Sequence, residues 1–467
     1  MFPRPALGPL DGRYAPVIAP LVDYLSEPAL NRMRLRVEIE WVIHLLATKA
    51  LPGTTELDQA EVQYLRNLVD QFGADQIAEL GAIERTTVHD VKAVEYYLQR
   101  RFQEAEAALG RPTRLSALEG VIHFGLTSED VNSLSYALMV QGAVNQVWLA
   151  AAQALVDQLA ELATAQAGQA MLSRTHGQPA TPTTLGKELA VTVRRLRRQL
   201  GRIRADQYMG KLNGATGTYG AFQTAVPGTD WVAISQGFVE QLGLTWNPLT
   251  TQIESHDWQA ELYSDVARFG RIAHNLATDI WTYISLGYFA QVRGQGTVGS
   301  STMPHKVNPI RFENAEANLE ISGALLDTLA ATLVTSRLQR DLTDSTTQRN
   351  VGVALGHSLL AIDNLRRGLA GLEVNPVPMA ADLAANPEVL AEPIQSVMRA
   401  AGLAGTPGMA DPYERLKVLT RGQRVTLEQF RQFVTTLGLP DDAVARLTAL
   451  TPQTYTGLAE QLVYRFL

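Results

Sequence analysis

Apolar residues recur at steps of three and four over long stretches of this chain, and those stretches carry no proline. None occurs between Pro112 and Pro179, Pro182 and Pro227, Pro248 and Pro304, or Pro309 and Pro376. Because proline removes a helical donor and clashes with the preceding turn, such gaps permit long helices. After Thr127-Ser128-Glu129-Asp130, which resembles a capping signal, Leu134, Leu138, Val147, Ala151, Leu155, Leu159 and Leu162 follow at mostly helical steps. The spacing predicts a helix of about ten turns. Segments 183–209, 254–290 and 312–337 read the same way, and alternating strand patterns are nearly absent. The expected fold is all-α in three helical domains: residues 1–115, a central bundle of long helices over 116–369, and a smaller unit over 370–467.

Some central segments are apolar over more than one face. Leu276, Ile280, Ile284 and Leu286 lie close to Ala273, Ala277, Trp281 and Tyr288, leaving a thin polar stripe. A helix apolar nearly all round must be covered on every side, which points to an oligomer whose subunits pack their helices together. Residues 131–156 carry no charge and are long enough to span a bilayer. Asn132, Gln141, Asn145, Gln146 and Gln153 would be costly in lipid, so a buried bundle helix is expected. The first ten residues hold three prolines and no continuous apolar run, unlike a secretory signal.

Composition narrows the chemistry. Across 467 residues, 40 Lys plus Arg face 47 Asp plus Glu, a formal charge of −7, which argues against a dedicated nucleic-acid or anionic-membrane surface. Hydrophobic residues make up 46%, enough to exclude disorder for most of the chain. With no cysteine, disulfides, thiolate nucleophiles and Cys-ligated metals are excluded, and a reducing compartment fits. Only six of the 40 basic residues are lysine: Lys49, Lys92, Lys187, Lys211, Lys306 and Lys417. A composition that favours Arg leaves Lys where a compact ammonium is needed.

Three polar breaks could hold chemistry. The stretch from Gly294 to Asn308 begins with G-x-G-x-x-G, but a helix-like segment precedes it and Pro304 and Pro309 block a following helix, so the dinucleotide fingerprint is rejected. It reads as a mobile loop whose amides and Lys306 could enclose an anion, although spacing alone does not separate it from an ordinary connector. The second break, Leu172 to Pro182, puts His176 between two helical segments. A free imidazole titrates near ~6.5 and can move a proton at neutral pH, or the residue could simply bond a turn. The third comprises Arg85-Thr86-Thr87-Val88-His89-Asp90-Val91-Lys92 and the related His123 to Asp130. Hydroxyls at helix starts make carboxylate or phosphate seats, or serve as routine N-caps. The eight histidines include no i, i+3 or i, i+4 pair, and no G-x-S-x-G elbow, Walker A sequence or kinase signature set is present. Acid–base chemistry on an anionic substrate remains.

Together these segments resemble the fumarase/aspartase superfamily, and within it the bacterial PurB-type adenylosuccinate lyase family. Gly299-Ser300-Ser301-Thr302-Met303-Pro304-His305-Lys306-Val307-Asn308-Pro309 matches the superfamily signature. The narrower likeness rests on Thr175-His176-Gly177-Gln178-Pro179-Ala180-Thr181-Pro182, His89 to Glu95, Asp11-Gly12-Arg13-Tyr14, and Ser336 to Ser345. The resemblance implies a homotetramer with active sites built from several subunits, a cytoplasmic location, no cofactor or metal, and no nucleic-acid or membrane partner. It implies β-elimination of fumarate from adenylosuccinate, giving AMP, and from SAICAR, giving AICAR. It makes Ser300 the general base and His176 the general acid. Lys306 and Asn308 would hold the carboxylate that gains charge, and Thr127 and Ser128 the succinyl end. Arg13, Tyr14, Arg340, Ser345, Thr346 and Arg349 would contact the nucleotide, with His89, Asp90, Gln252 and Asn314 completing the pocket. One departure stands out: Val88 replaces the polar residue usual before His-Asp, and substrate affinity should fall if the family's contact there uses the side chain. The alternatives are another superfamily lyase (argininosuccinate lyase, fumarase or aspartase) or a non-catalytic helical scaffold.

Overall fold

A computed structural model describes residues 6–292, 303, 306–420 and 425–467. The long central helices fall inside the proline-free windows. The N-terminal third forms α1 (Ala15–Leu25), α2 (Glu27–Ala47), α3 (Gln59–Asp70), α4 (Ala74–Thr87) and α5 (Asp90–Leu109). The long helix expected after Thr127 is α6 (Ser128–Gly142) continued by α7 (Leu149–Ala165), joined by a π-helical turn over Ala143–Trp148 that periodicity did not foretell. Between α6 and the end of the central region come α8 (Leu185–Ala205), the short α9 (Gly220–Ala225), α10 (Trp231–Gln241), α11 (Asp257–Ser285), α12 (Ile310–Leu333), α13 (Thr343–Gln348) and α14 (Val351–Ala370). The C-terminal part adds α15 (Pro376–Ala384), α16 (Ala391–Leu403), α17 (Pro412–Thr420), α18 (Leu427–Thr435), α19 (Asp441–Ala449) and α20 (Ala459–Phe466). No helix among the described residues is long and apolar enough to cross a membrane.

By contact the chain groups into two units. One comprises residues 1–152, 199–271 and 317–363, the other residues 153–198, 272–316 and 364–467, with boundaries inside α7, α8, α11, α12 and α14. In the first unit α2 and α6 pack together and both are buried on nearly every side. Leu35, Val37, Ile39, Trp41, Val42, Leu45 and Leu46 of α2 have no measurable exposure, and every residue of α6 from Glu129 to Val140 is buried. The uncharged stretch is thus buried over 131–140, whereas Asn145 and Gln146 in the π-helical turn are exposed. A short parallel pair, β3 (Met209–Gly210) with β4 (Thr245–Trp246), closes this unit.

The second unit contains the longer strands that the sequence pattern missed. An antiparallel hairpin pairs β1 (Ala170–Thr175) with β2 (Gln178–Thr184) and packs against α15. A further antiparallel pair joins β5 (Phe289–Gln291) to β6 (Leu372–Val374). The hairpin does not alternate because the register shifts between Leu172 and Arg174 and its turn end is exposed on both faces. Pro179 and Pro182 are tolerated in β2 because a two-stranded ribbon leaves each strand with an unpaired edge. Met398, Leu416, Phe430, Val434 and Leu447 form a separate apolar core for α16–α19.

Candidate active site

In the first unit the site is built on the N-termini of α5 and α6. Each presents the positive end of a helix dipole. The approach to α6 is tightly set. His123 has φ +58 and Gly125 φ +73, and a Cβ at Gly125 would lie 2.3 Å from the Phe222 ring, so only glycine fits. Asp130 accepts the Thr127 amide at 2.9 Å, fixing the chain entry and leaving Thr127 and Ser128 half-buried at the helix start. The capping signal is therefore real, and its carboxylate is itself anchored. Asp130 also accepts the Asn213 amide at 3.0 Å and the Gly214 amide at 3.1 Å, and meets the ammonium of Lys211 at 2.8 Å with both side chains fully buried.

Arginines sit beside both helix starts. Arg340 Nη2 lies 2.7 Å from Glu129 Oε1 at the second residue of α6, and its Nη1 donates to Gln252 Oε1 at 3.4 Å. Gln252 is oriented by its own donation to the Ala215 carbonyl at 2.8 Å. Arg349 Nη2 lies 3.2 Å from Asp90 Oδ2 at the first residue of α5, and its Nη1 meets Glu27 at 2.5 Å. Ser345 and Thr346 lie on α13 between these arginines in sequence; the Ser345 amide donates to buried Asp344 at 2.7 Å, whose carboxylate is 3.4 Å from His256 Nε2. Arg13 is exposed, with its guanidinium 5.8 Å from the Tyr14 ring centroid.

His89 and Asp90 do not form an imidazole–carboxylate pair. The ring atom Nδ1 accepts the Lys92 amide at 3.2 Å as the N-cap of α5 and stays 3.9 Å from Asp90. Burial opposes the Asp90 charge, but Arg34, the Val91 amide and Arg349 outweigh it and lower its pKa.

Three residues that sequence reasoning did not assign belong to this cluster. His123 Nδ1 is 2.6 Å from Glu38. Burial disfavours its cation, yet the Glu38 bond and the charges of Glu38, Glu95 and Asp130 prevail and raise its pKa. The signal was its position in the same polar break as Thr127. Arg34 and Glu129 are 3% exposed each; a charged residue inside an apolar-periodic helix was the available clue.

Val88 ends α4 at φ 51, ψ 29 with its side chain exposed and its amide donating to the Glu84 carbonyl at 2.8 Å. That amide is committed to the helix end, so a contact at this position falls to the side chain. A β-branched residue in the left-handed region is strained by about 1–2 kcal/mol. Val88→Asn, which tolerates that conformation and restores a donor, should raise stability by about 1 kcal/mol in denaturant titration and lower KM; a loss of stability would contradict the strain.

The second unit carries the remaining described candidates. His176 and Gly177, with φ 54 and 75, form the two-residue turn of the β1–β2 hairpin. Two positive values are the signature of a type I′ turn. The imidazole is thus exposed on the tip of a rigid ribbon, where a break between helices was expected. Lys306 is exposed, with its amide bonded to the Met303 carbonyl at 3.0 Å; Asn308 and Asn314 are half-buried, the latter on α12. Ser300 lies outside the described residues. No group of three or more His, Asp or Glu that could hold a metal is found among the described residues.

This helical scaffold is shared with solved enzymes. The fumarate lyase of Mesorhizobium sp. BNC1 superposes with a TM-score of 0.73 over 96% of each chain at 18% identity. The 3-carboxy-cis,cis-muconate lactonizing enzyme of Pseudomonas putida gives 0.71 over 96% of this chain and 95% of its own at 21% identity. These show the fold alone. The lyase family model matches residues 18–320, and the adenylosuccinate lyase C-terminal model matches residues 336–456. Fold and family model together define a lyase of the fumarase/aspartase superfamily. The chain is 45% identical over 458 residues to adenylosuccinate lyase of Escherichia coli K12, covering 98% of each. It is 46% identical over 461 residues to that of Legionella pneumophila strain Philadelphia 1, covering 99% of this chain and 98% of the other. The chain belongs to the adenylosuccinate lyase family.

Proposed function

We propose that this chain cleaves adenylosuccinate to AMP and fumarate, and SAICAR to AICAR and fumarate, in the cytoplasm as a homotetramer whose active sites draw residues from several subunits. The observation that carries the substrate assignment is the pair of arginines, Arg340 and Arg349, at the N-termini of α6 and α5. A substrate with two carboxylates and a phosphate needs several cationic seats, and two helix starts each flanked by a guanidinium supply them. The oligomer is supported by large apolar side chains that α8, α11 and α12 leave uncovered: Val191, Trp281, Ile310 and Ile321 are 43–60% exposed. The three-domain division near residues 115 and 369 belongs to the same proposal.

In this reading Ser300, as its alkoxide, takes the proton from the carbon beside the succinyl carboxylate. The electron pair passes into that carboxylate, giving an aci-carboxylate stabilised by Lys306 and Asn308. The pair then forms the carbon–carbon double bond as the C–N bond breaks, and His176 protonates the leaving nitrogen. Thr127 and Ser128 hold the succinyl end. Arg13, Tyr14, Arg340, Ser345, Thr346 and Arg349 hold the nucleotide, while His89, Asp90, Gln252 and Asn314 shape the pocket. Side chains supply both proton transfers. Turnover assays with adenylosuccinate, SAICAR, argininosuccinate, malate and aspartate test this. Fumarate release from the first two is expected, and turnover of only the last three would overturn it.

A further inference from the structure

Between the two arginines runs a polar chain whose buried members, Glu129, Asn132 and Arg34, no step above uses. Glu129 accepts Arg340 Nη2 at 2.7 Å and Asn132 Nδ2 at 2.8 Å. Asn132 Oδ1 in turn accepts Arg34 Nε at 2.9 Å, and Arg34 Nη2 donates to Asp90 at 2.7 Å, the same Oδ2 oxygen that faces Arg349 at 3.2 Å. Arg34, Asn132 and Glu129 are 3%, 6% and 3% exposed. Buried charge is costly unless every partner is in place, and an apolar α2–α6 contact would be at least as stable. The arrangement therefore reads as a device for orientation rather than for stability.

We propose that Glu129 is a positioning residue for substrate binding: its carboxylate holds the Arg340 guanidinium toward the substrate's phosphate, and the Asn132–Arg34 link sets Arg340 and Arg349 as one unit. The inference rests on the reading that Arg340 meets the phosphate. A planar guanidinium has five donors; with one fastened to Glu129 and one to Gln252, its direction is fixed while others remain for an incoming anion. Holding it beforehand removes the ordering cost from the binding step. Burial raises the Glu129 pKa, against the lowering effects of Arg340 and Asn132. The carboxylate's own solvation is therefore poor, and the guanidinium is its main compensation.

The test compares Glu129→Gln, Arg340→Ala and the double variant as full-length enzyme, using adenylosuccinate and its phosphate-free nucleoside analogue. Glu129→Gln keeps size and an acceptor oxygen, and circular dichroism with a thermal melt checks folding. Should it fail to fold, Asn132→Leu, which cuts the link without touching either charge, replaces it. KM for adenylosuccinate should rise at least ~10-fold with kcat changed less than ~3-fold, the size expected for a weakened hydrogen bond to a charged group. KM for the phosphate-free analogue should stay within ~2-fold, and the double variant should be no worse than Arg340→Ala. A rise in KM for Arg340→Ala without one for Glu129→Gln overturns the positioning role alone. A fall in KM for Glu129→Gln also overturns it, because Glu129 would then compete with the phosphate. No effect of Arg340→Ala on KM overturns the phosphate reading and the proposal with it.

Discussion

Alanine at His176 should lower the rate of fumarate release by at least ~100-fold, and alanine at Ser300 should do the same if they carry the proposed proton transfers. The His176 variant is a clean experiment because of where the residue sits. The side chain is exposed at the hairpin tip, so its loss opens no core cavity. The backbone is the one concern, since φ is +54 there and alanine adopts that conformation poorly. His176→Asn provides the control: asparagine accepts the left-handed region but cannot act as an acid at neutral pH. Both His176 variants should melt within a few degrees of the parent and lose activity together. If neither His176→Ala nor Ser300→Ala reduces the single-turnover rate by that factor, the acid and base assignments are wrong. Retained activity in only one would move that role to another side chain.

Truncating Asp130 should be the most damaging single change to stability at the substrate seat. Asp130→Ala leaves the fully buried Lys211 ammonium with only the Gly214 carbonyl at 3.2 Å, and orphans the amides of Thr127, Asn213 and Gly214. Removing one member of a buried pair typically costs about 3–5 kcal/mol. Lys211→Met is expected to cost less, about 1–3 kcal/mol, because the carboxylate keeps its three amide donors. Urea titration at one fixed protein concentration measures both. The order of the two losses is the critical result; a larger loss for Lys211→Met would mean that the ammonium, and not the carboxylate, organises the start of α6. Activity should follow the same order, since the Thr127 amide is held by Asp130.

The scarcity of lysine in the sequence takes on meaning here. Of the six lysines, Lys211 is fully buried against a carboxylate whose other bonds fix a helix start. A guanidinium is larger and planar, so it would not fit a space shaped for a point charge. Rarity flagged the residue type, while its task became visible only with Asp130 beside it.

Periodicity and proline spacing located the long helices because burying an apolar stripe is a local, repeating requirement. The capping signal at Thr127, the buried helix that follows it over 131–140 and the signature around Lys306 were legible for the same reason: each is written in consecutive residues. The β1–β2 hairpin was not, because its register shift and exposed tip erase the two-residue alternation that would announce it. The chain Glu129–Asn132–Arg34–Asp90 was not legible either, since its members come from α2, α5 and α6 and meet only when those helices pack. The sequence by itself determined the all-α class, the family and the residue types available for acid–base chemistry. Only the tertiary structure decided which charges share an oxygen, which histidine caps a helix instead of facing a carboxylate, and how the arginines are held. Propensity and motif act over a few residues, whereas the pairing of buried charge depends on distances between segments far apart in the chain.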